Sequence, residues 1–148
     1  MSKLTEPSVE FSRWVRWSDR ECLKTPEQWM GIYLWAHFPK KKPGPTTCPY
    51  PRLPRQLIYV GETKNLNRRP LGAGHHRLAH YLDTFPQDSS FERLYVSVAR
   101  VWKFDDTDDR RHLMRVFTQY VEARIYWEYT KHHRQRPALH FKKEKTED

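Results

Sequence analysis

The stretch Gln56–Arg77 reads QLIYVGETKNLNRRPLGAGHHR and combines an apolar run with a glycine turn and a cluster of basic residues. It opens with an apolar run, Leu57–Val60, whose residues favour a β-strand and include Tyr59. Gly61 then turns the chain, and a polar, basic cluster follows. A buried strand, a glycine turn and a group of cations can together hold a phosphate beside a titratable phenol. The stretch therefore predicts one half of a phosphate-handling site.

A second apolar run, Gly31–Ala36, predicts another strand earlier in the chain. Each run carries a tyrosine close to a glycine, as Gly31-Ile32-Tyr33 and as Tyr59-Val60-Gly61. If the two strands are antiparallel neighbours, both phenols lie at one end of the sheet. Paired tyrosines are also an ordinary feature of protein cores, so the pair by itself leaves a structural and a functional interpretation open.

The remaining pattern predicts one more strand and a long helix. Phe91–Val101 alternates apolar and polar residues, which indicates a third strand. A helix is expected over Asp108–Lys131, with apolar residues at three and four spacing that we assign mostly to the core. These residues are Leu113, Val116, Phe117, Tyr120, Val121 and Ile125. The acidic run at 105–109 is interpreted as a helix start rather than a metal site.

Shorter elements are expected around this frame. Helices are predicted to begin at Thr25, to span Thr63–Arg69 and to resume over His76–Leu82. The segment Glu10–Leu23 fits either a short helix or irregular aromatic packing, and a short strand is one interpretation of Pro137–Phe141. The predicted fold is therefore α+β, with a central three-stranded antiparallel sheet flanked by helices.

The length of 148 residues indicates a single domain over 1–148. Within it we distinguish an N-terminal extension at 1–29, an insertion loop at 36–55 and a basic tail at 134–148. The insertion holds six of the 11 prolines and the run Lys40, Lys41 and Lys42, so we expect no regular structure there. Such a basic loop either reaches nucleic acid or remains a solvated insertion.

The charge balance favours a polyanionic partner, since 27 lysines and arginines face 18 acidic residues for a net charge of +9. A merely basic soluble protein would show the same balance. A membrane partner is not expected, because neither a long apolar run nor a basic amphipathic stripe is present. Two cysteines do not form a disulfide framework, and the N-terminal residues lack a signal-peptide core, so a cytoplasmic location is expected.

Two further residues extend the tyrosine pair into a chemical constellation. Arg69 follows Tyr59 by ten residues, on the element expected beside the strand. Glu122 lies near the buried face of the long helix, where an unpaired carboxylate would be costly. Phenol, guanidinium and carboxylate would supply a base or hydrogen-bond donor, a phosphate clamp and a metal ligand.

At these residues the sequence resembles the GIY-YIG nuclease family. The first half-motif is Gly31-Ile32-Tyr33, and the second is Tyr59-Val60-Gly61, with valine for the usual isoleucine. Thr63–Arg69 looks like the family's T-x-x-L-x-x-x-R continuation, and Val121–Ile125 is similar to the helix that carries its metal-binding glutamate. The resemblance covers Gly31 to about Phe141.

Three departures from the family's pattern stand in this chain. The proline-rich insertion separates the half-motifs widely, as in some restriction enzymes of the family. The family's histidine or tyrosine after the arginine has its counterpart in His75, with His76, His80 and Tyr81 as alternatives, and Arg77 is the alternative to Arg69. His140 stands where the family often has an asparagine.

The resemblance implies hydrolysis of DNA phosphodiester bonds with one divalent metal ion, Mg²⁺ or Mn²⁺. The implied catalytic residues are Tyr33, Tyr59, Arg69, His75 and Glu122, with Glu122 as the metal ligand. The implied nucleic-acid-binding residues are Lys64, Arg68, His76, Arg77, Lys40, Lys41 and Lys42. Double-stranded DNA is the expected partner of a monomer or homodimer. The rival hypotheses are a catalytically silent nucleic-acid-binding module and a structural protein whose charge serves protein contacts.

Overall fold

A computed structural model of the chain describes residues 9–39, 50, 52–72, 77–105, 107 and 109–140. Five residues singled out above, Lys40, Lys41, Lys42, His75 and His76, lie outside these ranges, as does most of the insertion loop.

The fold is α+β, as expected, but the sheet has four strands rather than three. The strands are β1 (Val15–Arg16), β2 (Gln28–His37), β3 (Leu57–Thr63) and β4 (Leu94–Phe104), and their order is β1-β4-β2-β3 with all pairs antiparallel. The extra strand lies in the N-terminal extension, where Val15 pairs with Val96. A two-residue strand is too short to show a period-two pattern, which is why the sequence left this segment open.

Two helices cover the two faces of the sheet. One face of β2 carries Ile32 and Leu34 and packs in the core cluster that includes Val121 and Ile125 of helix α2 (Arg111–His133). The other face carries Tyr33 and packs toward helix α1 (Arg77–Thr84) and the short 3₁₀ helix Ala138–His140. Because alternate residues of a strand point to opposite faces, β2 is buried on both sides. Within the described ranges, no helix combines the length and apolar composition that a bilayer crossing requires.

Several predicted helix and strand boundaries were wrong. No helix begins at Thr25, because β2 starts at Gln28. Turns replace the helix expected over Thr63–Arg69, since the Asn65 side chain accepts a hydrogen bond from the Asn67 backbone N–H at 3.1 Å and competes with helical bonding. The strand considered near Pro137 is the 3₁₀ helix Ala138–His140.

Helix α2 also differs from its expected form. It starts at Arg111 and has no side-chain cap, because Asp105 accepts hydrogen bonds from Thr107 instead. Its buried residues are Thr118, Val121, Ile125 and Tyr129, whereas Leu113, Val116 and Tyr120 are exposed. The helix carries apolar residues on two faces, so their spacing alone did not show which face meets the sheet.

Candidate active site

The sheet register brings Tyr33 and Tyr59 together. Tyr33 lies opposite Gly61 across the β2–β3 pair, and Trp35 lies opposite Tyr59. The two tyrosines are therefore diagonal neighbours on the same face of the sheet. Their ring centroids are 5.8 Å apart with the planes inclined at 45°, and a hydrogen bond joins the side chains.

Gly61 makes this arrangement possible. A Cβ at position 61 would lie 2.5 Å from Cζ and 2.7 Å from the hydroxyl oxygen of Tyr33. Real Cβ atoms do not approach other atoms so closely, so the Tyr33 ring occupies the space above the glycine. Gly61 is therefore required for a steric reason, because any side chain at this position would prevent the Tyr33 ring from lying across β3.

Burial sets the protonation of Tyr33. Its side chain is only 2% exposed, and burial, followed by the neighbouring Tyr59 phenol, raises the pKa of Tyr33 well above its ordinary value. The charge of Arg69 lowers this pKa, and the charge of Glu122 raises it further. Tyr33 is thus a neutral hydrogen-bonding group that lies within electrostatic reach of both residues named from the sequence.

Two arginines stand near the tyrosine pair. The guanidinium carbon of Arg77 lies 5.1 Å from the centroid of the Tyr59 ring, a cation–π distance. Its Nη1 donates to the Leu139 carbonyl at 3.4 Å, which holds the side chain in place. Arg69 lies in the exposed turn after β3 and acts on Tyr33 through its charge. Helix α1 starts at Arg77, the later register that made Arg77 the alternative phosphate clamp.

Glu122 is a half-buried carboxyl group on α2. Burial, and then the charge of Glu62, raises its pKa from 4.5 to about 7. The helix lies on the face of the sheet opposite to Tyr33, yet the Glu122 charge still acts on that phenol. Glu122 and Tyr33 thus interact through charge from opposite faces of the sheet, and β3 is an outer strand of the described sheet.

Glu62 also lies near the site, although it was not predicted from the sequence. Its side chain is 12% exposed and forms a two-point ion pair with Arg115, with Arg115 Nη2 to Glu62 Oε1 at 2.9 Å and Nε to Oε2 at 3.3 Å. A signal was present in the alternation of β3, because Glu62 follows Val60 on the face that packs against α2. An acidic residue at such a position needs a cation, and α2 supplies it.

Tyr81, one of the alternatives to His75, takes part in a separate hydrogen-bond network. It is fully buried, and its hydroxyl donates to Asp88 Oδ2 at 2.5 Å and lies 2.9 Å from His37 Nδ1. Asp88 also accepts the backbone N–H groups of Glu92 and Arg93 at 2.9 Å each. This network stabilises the connection between α1 and β4. His80, the other described alternative, is half-buried on α1.

Glu122 and Glu62 together meet part of the requirement for binding a hard divalent cation such as Mg²⁺. In the part of the chain that the structure describes, no group of three or more His, Cys, Asp or Glu residues could hold a metal ion. Mg²⁺ in phosphoryl-transfer sites commonly takes only one or two protein carboxylates, and substrate phosphate and water complete its shell. Glu122, with the charge of Glu62 beside it, meets that smaller requirement.

Comparison with protein-family models, with curated proteins and with solved structures finds no match for this chain.

Proposed function

We propose that this chain is a metal-dependent DNA endonuclease of the GIY-YIG type. The observation that carries the proposal is the Tyr33–Tyr59 pair, with Arg77 near the Tyr59 ring and with the charges of Arg69 and Glu122 acting on Tyr33. These residues come from distant parts of the sequence and from both faces of the sheet. Phenol, guanidinium and carboxylate are the groups that phosphodiester hydrolysis needs.

The two tyrosines take different roles in this proposal. Tyr33 is almost fully buried and its pKa is raised, so it stays protonated and orients Tyr59 through their hydrogen bond. Tyr59, at 9% exposed the more accessible of the two, would be the phenol that contacts the attacking water or the phosphate once DNA is bound. Arg77, whose guanidinium carbon lies 5.1 Å from the Tyr59 ring centroid, would stabilise negative charge on the phosphate, with Arg69 as the second cation.

Glu122 would hold the divalent cation, Mg²⁺ or Mn²⁺, beside Glu62. The cation would act as a Lewis acid on the scissile phosphate. The carboxyl group must be ionised for this role, and its raised pKa means that a nearby positive charge is needed to keep it so near neutral pH. The net charge of +9 supports DNA as the substrate, and a monomer or homodimer remains the expected form.

A nicking assay on supercoiled plasmid tests the proposal. Wild-type protein is expected to nick the plasmid with Mg²⁺ or Mn²⁺ and to be inactive in EDTA. Glu122→Gln should lose cleavage and keep DNA binding. Glu128→Gln, a carboxylate on the same helix that pairs with Arg124 and Lys131, is the matched control and should cleave normally. No cleavage by wild type with any divalent ion would exclude the enzyme.

The burial of the tyrosine pair favours one rival, a nucleic-acid-binding module without catalysis on the same scaffold. Exposures of 2% for Tyr33 and 9% for Tyr59 leave little room for a water molecule in the ligand-free protein. If the protein is such a binding module, wild type and Glu122→Gln should both bind DNA, and both should leave the plasmid intact. The same plasmid assay therefore distinguishes the two hypotheses.

A further inference from the structure

A groove of about 690 Å³ lies beside the proposed active site. One wall is the turn segment 64–69 that follows β3, and the other is the first part of α2. Glu62 lines the groove and also raises the pKa of Glu122, so the groove adjoins the site on the α2 side of the sheet.

Positive charge faces this groove from both walls. The turn segment contributes Lys64, Arg68 and Arg69, and α2 contributes Arg111 and Arg115. The two α2 arginines are four residues apart and so share one face of the helix. Glu62 is the acidic residue among the lining side chains, and Arg115 pairs with it. The groove is therefore strongly cationic after its ion pair is counted.

Hydrogen bonds fix the backbone of the turn segment that carries these cations. The Leu66 N–H donates to the Trp29 carbonyl at 2.9 Å, and Asn67 Nδ2 donates to the Thr25 carbonyl at 2.8 Å. Asn65 Nδ2 donates to Gln28 Oε1 at 3.1 Å. These bonds tie the segment to the start of β2. The cationic wall is thus held in position before a ligand arrives, which reduces the entropic cost of binding.

We infer that this groove binds the sugar-phosphate backbone of DNA next to the cleaved bond, with Arg68 and Arg111 as contacts from opposite walls. The inference rests on the proposed function and adds the path that the DNA takes across the molecule. Cations on two facing walls match the spaced negative charges of a phosphate backbone better than a single small anion. Arg68 and Arg111 are expected to control affinity rather than the chemical step, because both are exposed and neither belongs to the proposed catalytic set.

Fluorescence anisotropy of a short labelled DNA duplex in EDTA tests this inference without cleavage. Arg68→Gln and Arg111→Gln are each expected to weaken binding several-fold. Each should also reduce the slope of log Kd against log salt by about 0.9 for one lost phosphate contact. Lys131→Gln, an exposed cation near the far end of α2, is the control and should leave affinity and slope unchanged. Arg68 and Arg111 are exposed, so circular dichroism and Tm should match wild type.

The outcomes separate this inference from the proposed function. If wild type nicks plasmid while Arg68→Gln and Arg111→Gln bind with wild-type affinity and slope, the groove is not the DNA path and the enzyme stands. If both variants lose affinity while wild type never cleaves, the groove is supported and the nuclease is excluded. Tighter binding of an RNA duplex of equal length, with the same dependence on Arg111, would overturn the assignment to DNA.

Discussion

At the scale of single residues, Tyr33 and Gly61 depend on each other. The Tyr33 ring fills the space that any larger residue at position 61 would need. Its hydroxyl is thereby fixed against Tyr59, and its raised pKa keeps it a hydrogen-bonding phenol. The glycine thus controls the geometry of the site through a contact and not through backbone freedom.

Gly61→Ala is expected to destabilise the protein by about 1–3 kcal/mol, because the new methyl group must displace the Tyr33 ring. Chemical denaturation measures this loss. A double-mutant cycle with Tyr33→Leu supplies the control, since the smaller side chain removes the overlap and Gly61→Ala should then cost less. Equal losses in both backgrounds would show that the tyrosine ring is not the cause.

Glu122 is expected to lower stability at neutral pH while serving the site. Its folded-state pKa of about 7 exceeds the ordinary 4.5, so the folded protein disfavours the ionised form. The free energy of unfolding should therefore fall as pH rises from about 4.5 through about 7. Glu122→Gln removes this charge, so its Tm should exceed that of wild type above pH 7 and depend less on pH.

Thermal unfolding across this pH range measures the effect, with Glu128→Gln as the control. That carboxylate pairs with cations on its own helix, and its removal should not raise Tm at high pH. A wild-type Tm that is independent of pH between 4.5 and 7, and equal to that of Glu122→Gln, would contradict the raised pKa.

At the scale of elements, the connection from α1 to β4 depends on one buried carboxylate. Asp88 accepts hydrogen bonds from the Tyr81 hydroxyl and from two backbone N–H groups, and it is 7% exposed. These bonds fix the end of α1, and α1 begins with Arg77 beside Tyr59. The position of Arg77 beside Tyr59 therefore depends on a hydrogen-bond network one helical turn further along α1.

Asp88→Ala is expected to cost about 1–3 kcal/mol of stability, because the buried Tyr81 hydroxyl and two part-buried backbone N–H groups lose their acceptor. Denaturant titration measures the loss. Asp83→Ala, an exposed acidic residue on α1, is the matched control and should be nearly neutral. Equal effects of the two substitutions would indicate that the Asp88 hydrogen bonds contribute little.

At the scale of the whole molecule, the local sequence pattern predicts individual strands better than it predicts which surfaces pack together. Alternation and apolar runs predicted β2, β3 and β4, although β4 spans Leu94–Phe104 rather than Phe91–Val101. The two tyrosines were expected to meet if β2 and β3 were antiparallel neighbours, which they are. The predicted core stripe of α2 was correct at Val121 and Ile125 but wrong at Leu113 and Val116, because these two residues continue an apolar pattern that tertiary packing leaves exposed. The choice between Arg69 and Arg77 depends on where a short helix starts, which local composition does not determine.

The role of Glu62 was likewise not predictable from local sequence, because it depends on contacts with residues of α2. It pairs with Arg115 and raises the pKa of Glu122, while Tyr33 and Tyr59 lie on the opposite face. Removing its charge should therefore lower the pKa of Glu122. The proposed reaction needs the ionised carboxyl group, so cleavage rises with pH through that pKa. In Glu62→Gln this acidic limb of the pH–rate profile should move to lower pH.

Arg115→Gln is the matched control for Glu62→Gln, because it breaks the same ion pair but keeps the Glu62 charge. Its acidic limb should therefore not move to lower pH. A carbon NMR titration of the Glu122 carboxyl group measures the same shift without cleavage, and so applies whether or not the protein is a nuclease. If both variants moved the pKa of Glu122 equally, the loss of the ion pair would be responsible and not the charge of Glu62.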